Sequence, residues 1–212
     1  MTALFRFDET EFRALARQWL HGVPPEAHRR SDDDLNPEAR IIAPGAKPKP
    51  AAVLVPVVMR ESGLTLLLTQ RTEQMTSHAG QVAFPGGRID DGDAGPVDAA
   101  LREAEEETGL ARQFVEPIGF LDTYLTSTSY RVVPVVALVR EGFTIVPHAG
   151  EVAAIFEVPL AFLMDPAHHE RHSREWQGKQ RFYYAMPWQD RYIWGATAGM
   201  IRNLYHLMYE PR

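Results

Sequence analysis

The chain of 212 residues is 45% hydrophobic and 24% charged, and it carries a formal net charge of −6 at pH 7. At about 150 residues per domain, this length predicts one core with extensions, and the composition excludes a disordered or collagen-like chain. No apolar run approaches the roughly 18–20 residues that cross a bilayer, and the charged N-terminal segment lacks the apolar region of a signal peptide. We therefore expect a cytoplasmic protein without membrane association. The absence of cysteine excludes disulfides, thiolate metal sites and a cysteine nucleophile.

Residues 1–50 are predicted to form a helix followed by an irregular connector. The helix is expected from about residue 9 to residue 21, with Asp8 and Glu11 resembling a capping box at its start. Its apolar face consists of Phe12, Leu15, Ala16, Trp19 and Leu20. Residues 22–50 contain six of the 16 prolines and few apolar side chains. We interpret this segment as a solvated connector and place a domain boundary near Pro50.

Residues 51–212 are predicted to form one domain with a mixed sheet. Strands are expected at 51–59, 64–70, 82–84, 117–125, 131–139, 152–158, 181–186 and 191–195. Helices are expected at 97–108 and 196–208, with a short third helix near 160–164. The strands outnumber the helices and do not alternate with them regularly, which favours an α/β sandwich with a mixed sheet over a doubly wound parallel fold.

The acidic excess of the chain is concentrated between residues 90 and 107. This segment contains eight acidic side chains and one basic side chain, so the remainder of the chain has a net charge of +1. On the predicted helix, Glu103, Glu106 and Glu107 share one face, and Gly109 is the expected stop. The opposite, inward face consists of Val97, Leu101, Ala104 and Thr108.

Three carboxylates on one helix face indicate either a solvated surface or a cation site. Arg102 offsets only part of their repulsion, whereas Mg²⁺ or Mn²⁺ prefers oxygen ligands and commonly binds substrate phosphates. The preceding segment FPGG at 84–87 follows a predicted strand, and its glycines allow the backbone to approach a ligand closely. We therefore favour a structured metal site with phosphoryl chemistry over a solvated helix face.

The segment 87–110 resembles the motif of the Nudix hydrolases, which reads G-x5-E-x7-R-E-U-x-E-E-x-G-U with U an aliphatic residue. The matching residues are Gly87, Arg102, Glu103, Glu106, Glu107, Gly109 and Leu110, with Ala104 at the first U. Asp93 stands where the motif has its first glutamate, and eight residues rather than seven separate it from Arg102. The insertion leaves the role of Asp93 open.

The segment 66–87 is similar to the signature of the coenzyme A diphosphatase branch of this family, approximately L-L-T-x-R-S-x3-R-x3-G-x3-F-P-G-G. The matching residues are Leu67, Leu68, Thr69, Arg71, Gly80, Phe84, Pro85, Gly86 and Gly87. Thr72 replaces the serine and Thr76 replaces the second arginine. The longer loop at 91–100 and the segment WGATAGMIRNL at 194–204 also resemble this branch.

The resemblance implies a Nudix-type α/β/α sandwich with an N-terminal helical extension, and it assigns roles to individual residues. Metal ligands for Mg²⁺ or Mn²⁺ would be Glu103, Glu106, Glu107 and the carbonyl of Gly87. The catalytic set would be Glu106, Arg102 as the residue that orients the glutamates, and Glu151 as an extra ligand or general base. Candidate substrate residues are Arg71, His78 and Gln81. An exposed glutamate, a surface arginine and a structural hydrogen bond remain the alternatives for Glu151, Arg71 and the His78–Gln81 pair.

The implied reaction is metal-dependent hydrolysis of the diphosphate of coenzyme A or acyl-CoA to 3′,5′-ADP and 4′-phosphopantetheine or its acyl form. The alternatives are another nucleoside diphosphate derivative, such as ADP-ribose, a dinucleotide or a damaged nucleotide, and a non-catalytic binding module. The sequence pI of 5.8 and the lack of a basic patch argue against nucleic-acid binding. A homodimer is compatible with the sequence. His168, His169 and His172 lack the acidic framework of a zinc site, so we expect no metal there.

Overall fold

The structure is a computed structural model that describes residues 5–38, 47–74, 78–176 and 178–211. Its helices are α1 (Glu9–Trp19), α2 (Pro96–Thr108), α3 (Leu160–Leu163) and α4 (Gly195–Met208). Its strands are β1 (His28–Ser31), β2 (Lys49–Arg60), β3 (Gly63–Arg71), β4 (Val82–Ala83), β5 (Gly86–Arg88), β6 (Val115–Phe120), β7 (Thr123–Leu125), β8 (Tyr130–Val139), β9 (Val152–Pro159), β10 (Glu170–Trp176), β11 (Lys179–Trp188) and β12 (Arg191–Trp194). Short 3₁₀ turns lie at Arg112–Phe114 and Pro166–His168. None of the described helices is long and apolar enough to cross a membrane.

The main sheet of the described residues is mixed and is covered on both faces. Its strands run in the order β1-β7-β8-β2-β3-β4, and β5, β6 and β9 pair with β2, β8 and β3. β2 is parallel to β8 and antiparallel to β3, which confirms the predicted mixed sheet. Alternate side chains of β2 enter different cores, so Leu54 packs with α2 while Val55 packs with α1 and α4. The result is the α/β/α sandwich that the sequence predicted.

Helix α1 begins where the sequence predicted. The amide of Glu11 donates to Asp8 Oδ1 at 2.8 Å, and the amide of Phe7 donates to Glu11 Oε2 at 3.0 Å. These bonds satisfy backbone donors at the helix start, as a capping box does. Phe12 and Ala16 are buried against α4, which confirms the predicted apolar face.

The connector at 22–50 was predicted to be irregular and solvated, and this prediction is wrong for part of it. β1 pairs in parallel with β7 at the edge of the main sheet. Asp33 forms a buried ion pair with Arg181 at 2.8 Å, and the Asn36 side chain bonds the backbone of Phe182. The segment therefore links the main sheet to β11 through polar groups, which an apolar pattern does not reveal. Residues 39–46 lie outside the described residues.

The strands β10, β11 and β12 form a separate antiparallel sheet. β12 packs against β4, and Met186 and Ile193 are buried in the core beneath α4. The predicted strands at 181–186 and 191–195 correspond to β11 and β12, whereas β10, with the charged sequence ERHSREW, was not predicted. The predicted strand at 117–125 is divided into β6 and β7 by Leu121 and Asp122.

Candidate metal-dependent active site

Helix α2 presents the acidic residues of the candidate site. Pro96 occupies its first turn, and Gly109 ends it in the left-handed region with φ of 71°, donating its amide to the Glu105 carbonyl. Ala100 and Ala104 are buried against β2 and β8, while Val97 and Leu101 are partly buried beside them. The predicted inward face is therefore confirmed, and it fixes the direction in which the glutamates project.

Glu107, which the sequence places on one helix face with Glu103 and Glu106, is buried. Its residue is only 5% exposed, its Oε2 accepts the Gly86 amide at 3.1 Å, and Arg71 Nη1 lies 3.7 Å from Oε1. Burial raises the pKa of Glu107 to about 7, the charges of Glu103 and Glu151 act in the same direction, and Gly86 and Arg71 oppose them. Helical spacing alone did not reveal this burial, because it arises from the approach of β5.

Glu103 lies against the backbone of β5. A Cβ atom added to Gly87 would lie 2.5 Å from Oε1 of Glu103, so only glycine permits this approach. Burial raises the pKa of the Glu103 carboxyl despite the opposing Arg102 guanidinium, and the charges of Glu106 and Glu151 add to the rise. The strand-loop segment FPGG and the acidic helix therefore meet, as the sequence predicted.

Arg102 connects the acidic loop to the helix. Its Nε and Nη2 donate to the two oxygens of Asp93, each at 2.9 Å, and its Nη1 donates to Glu103 and Glu106 at 3.1 Å. Asp93 is 3% exposed at its side chain, whereas Glu106 is 60% exposed. The structure thus gives Asp93 a place in the network, which the altered spacing of the motif had left open.

Glu151 is near enough to the same carboxylates for its charge to act on them. Its amide donates to the His148 carbonyl, and the His148 amide donates to the Glu107 carbonyl, each at 2.9 Å. The Glu151 carbonyl accepts the Thr72 amide, also at 2.9 Å. The loop before β9 is therefore attached both to the end of α2 and to the residue after β3. The charge of Glu151 raises the pKa values of Glu103 and Glu107.

The candidate substrate residues occupy the end of β3 and the following turn. Arg71 faces Glu107, and its buried Nε has no hydrogen-bond partner among the described residues. The Arg71 amide donates to the Gln81 carbonyl at 3.0 Å, and the Gln81 side chain bonds His78 Nδ1 at 2.9 Å. His78 and Gln81 are thus paired with each other, while Arg71 approaches the Glu107 carboxylate. Thr76, where the signature has an arginine, lies outside the described residues.

The oxygen donors near β5 and α2 fit a hard divalent cation. Burial of the Glu103 and Glu107 carboxylates disfavours their charged forms, which a bound cation would stabilise. The backbone of Gly87 lies beside Glu103. Within the described ranges, no three acidic or histidine side chains already form a coordination sphere. Arg102 instead bonds Glu103 and Glu106. The donor chemistry fits, but the three helix glutamates are not gathered at one point.

Comparison with known proteins identifies the family of this chain. A model of the NUDIX domain matches residues 48–180. The chain belongs to the Nudix hydrolase family. The uncharacterized Nudix hydrolase NudL of Escherichia coli K12 is 42% identical over 154 residues, which are 73% of this chain and 80% of NudL. NudL of Shigella flexneri serotype 5b is 38% identical over 177 residues, which are 81% of this chain and 92% of that protein.

A solved structure, the binary complex of a C. elegans Ap4A hydrolase, has a TM-score of 0.46 and is 21% identical over 52% of this chain and 80% of that chain. As a Nudix hydrolase, the protein is an enzyme that acts on phosphorus-containing anhydrides, in the class of nucleoside diphosphate derivatives. Nudix hydrolases generally use divalent metal ions, in agreement with the donor chemistry of the site.

Sequence reasoning missed two contributions to the site. The Gly86 amide is the backbone donor to Glu107, and Asp93 is the partner of Arg102. Gly86 was visible in the signature, but its role depends on how β5 approaches the helix. Asp93 was visible in the acidic loop, but its role depends on the path of the inserted residue.

Proposed function

We propose that this Nudix hydrolase cleaves the diphosphate linkage of coenzyme A or acyl-CoA, giving 3′,5′-ADP and 4′-phosphopantetheine or its acyl form. The proposal is supported by contact between residues of the two sequence signals. Arg71 belongs to the coenzyme A diphosphatase signature and lies against Glu107 of the Nudix motif, and Gly87, which the signature and the motif share, lies against Glu103. A substrate diphosphate that binds Arg71 would therefore lie beside the helix carboxylates.

The residues of the site divide the chemistry among them. Glu103, Glu107 and the Gly87 carbonyl would hold the Mg²⁺ or Mn²⁺, with Glu106 as a further carboxylate at the exposed edge. The bound cation would neutralise the diphosphate, polarise the phosphorus and lower the pKa of an attacking water. Arg71, whose Nη1 lies beside Glu107 and whose Nε has no partner among the described residues, would donate to a phosphate oxygen.

Glu151 and Arg102 would complete the catalytic machinery. A carboxylate near the reacting water has to accept its proton, and we assign this role of general base to Glu151, with Glu106 as the other candidate. Arg102 would hold Glu103 and Glu106 in place through the bonds that it makes to both. His78 and Gln81 would contact the substrate from the turn that follows β3.

A substrate panel with product identification tests the proposed specificity. The enzyme with Mg²⁺ or Mn²⁺ is incubated with coenzyme A, acetyl-CoA, ADP-ribose and a dinucleoside diphosphate. We expect 3′,5′-ADP from both coenzyme A compounds at a kcat/KM at least about tenfold above those of the others. Efficient cleavage of ADP-ribose or the dinucleotide without release of 3′,5′-ADP would reject the specificity, and no cleavage of any compound would favour a binding module.

A conservative change in Glu107 tests the assigned metal site. Glu107→Gln keeps the shape of the side chain and an acceptor for the Gly86 amide but removes the charge, so turnover should fall about 100-fold or more. The matched control is Glu105→Gln, an exposed position on α2 whose nearest basic partner is Arg112 at 3.6 Å. The control should change turnover less than twofold, with both circular dichroism spectra unchanged. Wild-type activity in Glu107→Gln would contradict the metal assignment.

The location of the protein and the identity of its metal ion remain predictions from the sequence. A cytoplasmic location is tested by subcellular fractionation, and the dependence on Mg²⁺ or Mn²⁺ by removal of metal with a chelator and its restoration. The domain division, with an N-terminal helix and connector at 1–50 and the hydrolase domain at 51–212, is likewise proposed.

A further inference from the structure

Strand β10 is an exposed edge of the three-stranded sheet. Within the described residues it pairs on one side with β11, and all of its residues except His172 are exposed. The backbone groups on its other side face away from β11. Such an edge can accept another extended segment by antiparallel pairing.

The charges on β10 are arranged so that the strand complements itself. Its sequence is ERHSREW, from Glu170 to Trp176. When two copies run antiparallel about Ser173, Arg171 of each copy lies directly opposite Glu175 of the other. Glu170 then lies diagonally across from Arg174 of the second copy, within the reach of long side chains. Two direct and two diagonal pairs of opposite charge result from one seven-residue strand.

Three of the four charged residues concerned are available for these pairs, whereas one carboxylate oxygen of Glu170 already bonds His172 Nε2 at 2.6 Å. Among the described residues, Arg171, Arg174 and Glu175 form no ion pair within the chain. The guanidinium of Arg171 lies over the Phe182 ring at 4.0 Å, and that of Arg174 lies near two tryptophan rings at 5.0 and 5.2 Å. Ring contacts leave the edges of a guanidinium free to donate, so both arginines can bind a carboxylate from a second copy.

Only one symmetric register pairs the whole strand. A two-fold axis through Ser173 aligns all seven residues of each copy. An axis through His172 pairs only five residues of each copy. An axis through Arg174 also pairs only five, and it places the two Arg174 side chains, of like charge, opposite each other. A cyclic two-fold dimer requires a surface that complements itself in this way.

Exposed aromatic side chains lie on the face of the small sheet that carries Glu170, His172 and Arg174. Trp176 is 44% exposed and Tyr192 is 40% exposed. Tyr192 bonds His172 Nδ1 at 2.6 Å, so it lies beside β10. In the register about Ser173, Trp176 lies opposite Glu170 of the second copy and next to its His172. We propose that two copies of the chain associate through β10, antiparallel about Ser173, and form a continuous six-stranded sheet.

Disulfide trapping tests the register directly, because the chain contains no cysteine. In Ser173→Cys the two introduced thiols lie on the axis, where paired Cα atoms are about 4.5–5.5 Å apart and can form a disulfide. In Glu175→Cys, a control on the same exposed strand, the two thiols lie about 13 Å apart. We expect Ser173→Cys to form a covalent dimer under mild oxidation at least about tenfold faster than Glu175→Cys. Equal rates, or faster trapping of Glu175→Cys, would overturn the register.

A charge exchange tests the interface in the otherwise unmodified protein. Sedimentation velocity should show a dimer with a dissociation constant in the micromolar range, since a single strand pair is a small interface. Arg171→Glu should raise this constant at least about tenfold, and adding Glu175→Arg should return it to within about threefold of the wild type. A monomer throughout the micromolar range, or a dimer that neither variant alters, would overturn the proposal. Circular dichroism of each variant establishes that β10 remains folded.

Discussion

Asp93 anchors Arg102 from the loop before α2. Because each oxygen of its carboxylate accepts one guanidinium bond, Arg102 is held in the orientation from which it reaches Glu103 and Glu106. The same contact holds the pKa of Asp93 at about 2, so the carboxylate stays charged throughout the neutral range. Despite the altered motif spacing, Asp93 therefore pairs with this arginine.

Asp93→Asn should lower turnover about 10–100-fold while leaving KM nearly unchanged, because Arg102 loses its anchor but the proposed phosphate contact of Arg71 remains. The matched control is Asp90→Asn, since Asp90 is 64% exposed at its side chain and lies 3.7 Å from Arg102. Steady-state kinetics of both variants at saturating metal provide the measurement. Equal effects of the two changes would show that Asp93 has no special positioning role.

The sequence indicates candidate residues for the site, but it does not indicate the environment of each one. The spacing of Glu103, Glu106 and Glu107 on a helix follows from sequence alone, yet the structure buries Glu107, exposes Glu106 and places Glu103 between these extremes. These differences arise from the approach of β5 and Arg71, which belong to distant parts of the chain. A helical pattern gives the direction of a side chain, whereas its solvation depends on tertiary contacts.

At the scale of elements, the close contact between β5 and α2 is the feature most open to test. Gly87→Ala would place a Cβ atom 2.5 Å from the Glu103 carboxyl carbon, so the flexible Glu103 side chain has to move. Moving a carboxylate end costs little stability but displaces a proposed ligand. We therefore expect activity to fall about tenfold or more, with a higher metal concentration for half-maximal activity and a melting temperature within about 2 °C of the wild type.

Gly92→Ala is the control for this change, because a Cβ atom at Gly92 meets no other atom within 4 Å. Gly92 lies in the acidic loop between β5 and α2. Its replacement by alanine should leave both activity and metal dependence unaltered. Unchanged metal dependence in Gly87→Ala would contradict the placement of Glu103 in the metal site.

The elements that sequence reasoning missed have their partners far away in the chain. β1 has the polar sequence HRRS and exists through pairing with β7, and β10 is charged and exists through pairing with β11. β5 contains two glycines and an arginine and pairs with β2. The long apolar strands β2, β3 and β8 were predictable, since burial on both faces imposes a continuous apolar run.

At the scale of the whole molecule, the two faces of the main sheet have different roles. The face covered by α2 carries the acidic site, and the face covered by α1 and α4 holds the larger core and supports the small sheet. The predicted sandwich is confirmed because its layers follow from apolar patterns. The attachment of the small sheet depends on polar contacts, such as Asp33 with Arg181, which no pattern predicted. The stability of the molecule therefore depends in part on buried polar groups whose protonation responds to pH.

His169 is one such group, at the junction between the turn after α3 and helix α4. Its Nε2 bonds the Leu163 carbonyl at 2.7 Å, and Arg202 Nη1 lies 3.0 Å from its Nδ1. Because arginine can only donate, Nδ1 has to accept and the buried ring is neutral. Burial lowers the pKa of His169, the charges of Arg202 and His206 lower it further, and the Leu163 carbonyl and Asp165 oppose them.

Acid should therefore destabilise the fold through this ring. The unfolded chain binds a proton at His169 as the pH falls below about 6.5, whereas the folded ring resists it, so stability is retained at higher pH and lost on acidification. His169→Gln, which can donate to Leu163 and accept from Arg202, should lose less stability between pH 7.5 and 5. The difference is limited to about 1.4 kcal/mol per pH unit for one proton. Urea unfolding across this range measures it, and the exposed-site control His148→Gln should retain the full wild-type loss. Parallel losses in wild type and His169→Gln would show that another group governs acid stability.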